Sequence, residues 1–206
     1  MVAVLDVHFV YLGAAVGALG QATYVVDTLR GRVQPNRVTW LLWGVAPLLA
    51  FAVELSDGVG LRSLMTFTVG FGPCVVFAAS FFNPASVWRL HRLDYVCGGL
   101  SVAGTFGWLL TRQGLVALGA ALAADALAAV PTVVKTWNHP ESESVSVYLG
   151  AFVNATITLL TVTTISAAEV AFPLYIAVVA TVQLVLLTVR PRARLRAALV
   201  GGSDVE

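Results

Sequence analysis

The strongest constraint on this chain is how much of it is unbroken apolar sequence. Seven runs, at 8–26, 38–55, 61–83, 94–111, 114–134, 145–167 and 170–189, are joined by short polar connections. The hydrocarbon core of a bilayer takes about 20 helical residues to cross, and each run is close to that length. A strand reading fails, because the runs are long, continuous and rich in Ala, Leu and Gly. Composition argues for lipid over water: the chain is 58% hydrophobic and 11% charged, where a soluble domain carries about 25% charged residues. The expectation is an all-α membrane protein with seven transmembrane helices. Cys74 and Cys97 both fall in apolar runs and are expected as free, buried thiols. The opening MVAVLDVHF has no Lys or Arg, so the first run is expected to be kept as a true span and not cleaved as a leader.

Charge placement predicts the orientation. Arg30, Arg32, Arg37, Arg89, Arg92, Lys135, Arg190, Arg192, Arg194 and Arg196 collect on one side, and only Arg62 and Arg112 on the other. This puts the carboxyl terminus in the cytoplasm and the amino terminus outside a cell membrane. Trp40, Trp88 and Trp137 then sit at the cytoplasmic boundary as an aromatic belt. The RPRARLR tail most simply fixes topology and touches anionic lipid.

A faint internal repetition adds to this. VVDT at 25–28 matches VVKT at 133–136, and after a one-residue slip VTWLLWG at 38–44 matches VSVYLGA at 145–151. Four runs separate the copies, so both face the same way. The implied plan is two parallel three-helix repeats, 1–93 and 112–190, joined by a linker helix at 94–111 and followed by a cytoplasmic tail at 191–206. Parallel repeats are one way to build a transporter.

At these residues the chain resembles the PQ-loop superfamily, which includes the SWEET sugar transporters. PTVVKTWNHPESESVSVYLG, at 131–150, is similar to the family's second hinge. There a Pro near a helix end is followed by a basic residue, a short loop and a Ser opening the next helix. Pro131, Lys135, Ser144 and Ser146 take those places, while Thr132 replaces the family's Gln. The first hinge, with Tyr24, Asp27, Asn36, Thr39 and Trp40, is more divergent and has no Pro ending its helix. The topological likeness spans the whole chain, and the motif only its second hinge. The family also holds amino-acid exporters, vitamin carriers and a seven-span sorting receptor, so the resemblance implies a fold and leaves the solute open.

Polar groups inside the runs are the candidates for chemistry. Asp125 lies near mid-bilayer in the fifth run, where a charge costs about 2.5–3.5 kcal/mol on insertion scales, so it must face protein or water. Asn154 lies at matching depth in the sixth and offers both donor and acceptor groups. Gln21, Tyr24, Trp43 and Gln183 sit nearer the cytoplasm and complete the candidate substrate site. For each, bonding between helices is the competing reading. Pro47, Pro73 and Pro131 are candidate flexing points, against the plainer reading of static kinks. Asn36 and Ser144 are expected N-caps. Asp27, Arg30, Lys135, Glu141 and Glu143 are a candidate cytoplasmic gate, against a reading as solvated loop charges.

Other classes find little support. There is no phosphate-binding glycine loop with a Lys, no metal-ligand spacing and no nucleophile–base pair, so an ATP-driven machine, a metal or other cofactor, nucleic-acid binding and an enzyme are not expected. The expectation is a transporter of a small polar solute, such as a sugar, an amino acid or a vitamin, working by alternating access with or without coupled protons. The alternative is a non-transporting receptor or scaffold on the same fold. Lipid is the expected surrounding, and a homo-oligomer is open.

Overall fold

The structure is a computed structural model that describes residues 3–56, 58–111, 114–163 and 165–201. Among these are seven α-helices and no strand: α1 Phe9–Leu29, α2 Arg37–Ser56, α3 Ser63–Ala79, α4 Arg92–Thr111, α5 Gly114–Asn138, α6 Val145–Leu160 and α7 Ala167–Gly201. Arg112 lies outside the described residues, as do the side chains of the basic tail. Phe9–Leu29, Gly60–Ala79 and Glu169–Val189 are long and apolar enough to cross a membrane, while Arg37–Ala52 and Val145–Leu160 are apolar but shorter.

Local chemistry sets the helix ends at the hinge loops. α1 closes on Gly31, at φ 72°, a conformation that needs no β-carbon. The Gly31 N–H donates to Thr28 O at 3.0 Å and the Arg32 N–H to Asp27 O at 2.9 Å, which is a Schellman closure. Asn36 caps α2 as expected, its Oδ1 accepting from the Val38 and Thr39 N–H groups at 3.1 and 3.3 Å. Its Nδ2 donates to Asp94, whose other oxygen accepts from the His91 backbone N–H and so ties down the start of α4.

Several expected helix ends and caps need correction. Ser144 stands at the N-cap position of α6, but its hydroxyl pairs with Ser146 Oγ at 3.0 Å instead of capping. α5 runs past the expected 134 to Asn138, and α7 past the expected 189 to Gly201. α6 ends at Leu160, well short of 167. There Thr158 and Thr161 turn their hydroxyls onto Asn154 O and Thr158 O, at 2.9 and 2.7 Å, the local bonding that competes with helix continuation.

The packing order is not the chain order. α3 packs between α1 and α2, and α7 packs between α5 and α6. The two groups of three meet through α1 against α6 and α2 against α5, while α4 lies against α5 and α2. Across the first junction the helices are antiparallel: Gly13 lies against Asn154, and Gly20 against Ser146 and Gly150. The second is antiparallel too, with Thr39 Oγ1 donating to Ala128 O at 2.8 Å. The loops 30–36, 80–91 and 139–144 therefore gather at one end of the bundle. The Gln34 N–H donates to Ser142 O at 2.9 Å, so the two hinge loops touch.

Candidate functional site

A cavity of about 60 Å³ lies at the centre of the bundle. Gln21 of α1, Trp40, Trp43 and Pro47 of α2, and Val69 and Pro73 of α3 form one wall. Asp125 of α5, Val147, Tyr148 and Ala151 of α6, and Ile176, Val179 and Ala180 of α7 form the other. Every helix except α4 contributes. Trp40 and Val147, Val69 and Ile176, and Pro73 and Ala180 stand 107 positions apart, the spacing of the sequence repetition. At about 10–15 Å³ per water the space holds a few waters.

Polar groups face this space. Asp125 is 5% exposed and accepts from the Tyr175 hydroxyl at 2.6 Å. Gln21 donates through Nε2 to Thr68 O at 3.1 Å, while its Oε1 is buried with no partner. The Trp43 indole N–H is also buried without one. Buried polar groups are nearly always paired, so these are open positions for a ligand's or water's hydrogen bonds.

On the hinge-loop side the cavity is closed. Trp40 packs on Tyr24, ring centres 4.6 Å apart and planes tilted by 36°, and both are fully buried. Behind them Glu143 and Lys135 form an ion pair whose side chains are 0% exposed. The Tyr24 and Tyr148 hydroxyls donate to Glu143 Oε2 at 2.8 and 2.9 Å. Lys135 also donates to Gln34 O and lies 5.2 Å from the Trp88 ring centre. This cluster joins α1, α6 and both hinge loops, so the cavity cannot open at this end without breaking it.

The expected residues divide by place. Asp125, Gln21, Trp43, Pro47 and Pro73 line the cavity. Tyr24, Lys135 and Glu143 form its closure. Asn154 is 1% exposed in the α1–α6 junction and donates to Thr68 Oγ1 at 3.1 Å, away from the cavity wall. Gln183 is buried in α7 beyond it. Pro131 is buried within α5 between Asp125 and Lys135. Asp27 pairs with Arg32 at 3.4 Å, Glu141 with His139 at 3.3 Å, and Arg30 is exposed, so these three stand outside the buried cluster.

Tyr175, Tyr148 and Thr68 were not singled out as site residues from sequence, and Trp88 was expected only as part of an aromatic belt. Tyr148 stands in the repeated VSVYLGA segment, and Tyr175 is the one tyrosine of the last apolar run, so both carried a usable signal. No family model, curated protein or solved structure matches this chain.

Proposed function

We propose that this chain is a PQ-loop, SWEET-like membrane transporter that moves a small polar solute by alternating access. Its seven helices each cross the bilayer, as two parallel three-helix repeats and a linker, with the amino terminus outside the cell membrane and the carboxyl terminus cytoplasmic. The observation that carries this reading is the central cavity. All six helices of the two groups line it, Asp125 and unpartnered polar atoms face it, and a buried ion pair seals it from one end. The exchange symmetry of the packing supports the duplication: α1 on α6 corresponds to α5 on α2, and α3 and α7 each sit between their partners. Asp125 is the group to carry a coupled proton, because it is ionisable and held inside the cavity by Tyr175.

The test is uptake by protein-containing liposomes of sugars, amino acids and vitamins, with and without a pH gradient. At least one solute should enter faster than in protein-free liposomes. If entry depends on pH, Asp125→Asn should abolish that dependence, and its retention would remove Asp125 from proton coupling. The small cavity volume favours a second reading, a receptor or scaffold with a packed centre. Absence of uptake across the panel, with a partner bound at the hinge-loop mouth, would select it.

A further inference from the structure

Two fully buried side chains lie between the cavity and the closure. Thr132 of α5 is 0% exposed with its hydroxyl unpartnered. Gln183 of α7 is 0% exposed with both amide atoms unpartnered. Helical register shows where they look. Thr132 is seven residues, two turns, beyond Asp125, and Gln183 is seven beyond Ile176. Asp125 and Ile176 both line the cavity. α5 and α7 are in contact, pinned side by side by Tyr175 and Asp125. Both head toward the hinge loops, where Leu184 and Leu187 join the core around Tyr24 and Tyr148. Thr132 and Gln183 therefore stand at one depth, Thr132 about 10 Å beyond Asp125 and Gln183 one turn beyond Ala180 of the cavity wall. Lys135 follows one turn further along α5.

An amide and a hydroxyl buried without partners cost several kcal/mol, and the usual remedy is bound water. We propose that Thr132 and Gln183 hold a hydrated passage joining the cavity at Asp125 to the Lys135–Glu143 pair. It is the route by which water, and with it a proton, reaches Asp125 from the hinge-loop side. The polar groups along it are Tyr175 at Asp125, and Lys135, Tyr24 and Tyr148 at Glu143, with Asp94 of α4 acting on Lys135. The inference rests on reading Asp125 as the ionisable group of a transport cavity.

Cysteine labelling tests it. In a Cys74→Ala, Cys97→Ala background, Thr132→Cys and Gln183→Cys are exposed to a small cationic methanethiosulfonate in liposomes. The hydrated thiolate attacks the reagent's sulfenyl sulfur and releases methanesulfinate, so both should react roughly tenfold faster than lipid-facing controls on the same helices. Those controls are Val134→Cys and Val182→Cys, each 41% exposed in the wild type. Reaction no faster than the controls overturns the passage. A second measurement needs no cysteine: Gln183→Leu should lower the melting temperature if it evicts bonded water, and a rise would mark Gln183 as a dry orphan and overturn the proposal. Labelling needs no solute. Fast labelling with no uptake would keep the passage and remove carriage, and uptake with slow labelling would do the reverse.

Discussion

The two junctions between the three-helix groups make an instructive pair. In α1–α6, small residues bring the backbones together: a β-carbon on Gly20 would stand 2.5 Å from Ser146 O, and one on Gly150 3.0 Å from Val16 O. The Asn154 amide fills the space over Gly13 and Gly17. On the proposed duplication Gly20 corresponds to Ala128, and Ser146 to Thr39. That pair touches as well, through the Thr39–Ala128 hydrogen bond. One turn away the junctions part. Gly17 and Asn154 correspond to Asp125 and Pro47, and there the helices stand around the cavity. Where glycines close the contact in α1–α6, a proline and an acid line the cavity in α2–α5. The α2–α5 junction thus borders the cavity, while α1–α6 is a closed seam.

The largest expected effect lies at the hinge ends of the two junctions. Asp27 and Lys135 correspond, but Asp27 pairs with an Arg32 whose side chain is 63% exposed, whereas Lys135 and Glu143 are both 0% exposed. Glu143→Ala leaves a buried ammonium uncompensated and should cost about 3–5 kcal/mol, with most of it recovered in Lys135→Met, Glu143→Leu. Asp27→Ala should cost less than about 1 kcal/mol. Denaturation in detergent reads both, and equal losses would end the claim that only the α5 end is locked.

Next in size is the seam itself. Gly20→Ala drives a methyl into the Ser146 carbonyl and should destabilise by about 1–3 kcal/mol. Ala128→Gly removes a methyl at the corresponding place and should cost only about 0.5–1 kcal/mol, mainly through chain entropy. A Gly20→Ala variant as stable as the wild type would mean that α1 and α6 slide freely, and the fixed seam would be lost.

Helix order was legible in the sequence, and azimuth was not. The apolar runs set the order of the helices, and their ends matched to within a few residues, apart from α6, which stops at Leu160, and α7, which runs on to Gly201. The meeting of the hinge loops followed from counting crossings. Asn154 and Asp125 were expected at similar depth, but nothing said that one faces Gly13 and Gly17 while the other faces the cavity. In a soluble helix the polar face reports which side is out. Here the outward face is apolar too, as exposed Leu12, Leu19, Phe71 and Phe106 illustrate, so that signal vanishes. The failed Ser144 cap has a similar cause: a hydroxyl two residues on, Ser146, competed for its bond.

The smallest effect on stability should come from Pro131, where the junctions differ in backbone chemistry. Its counterpart is Thr23, which keeps its N–H and adds a hydroxyl bond to Leu19 O at 2.9 Å. α1 is thereby bonded through the turn at which α5 lacks a donor. A helix missing that donor bends more readily, and this turn lies between the cavity acid and the locked lysine. Pro131→Ala restores the bond, so the folded protein should melt within a few degrees of the wild type or slightly above it. Solute uptake should nevertheless slow, because α5 can no longer flex between Asp125 and Lys135. Thr23→Val, which trims the opposite helix, should leave uptake unaltered. Equal uptake by folded Pro131→Ala would show that α5 moves as a rigid rod, and the moving junction would then have to open by tilting whole helices.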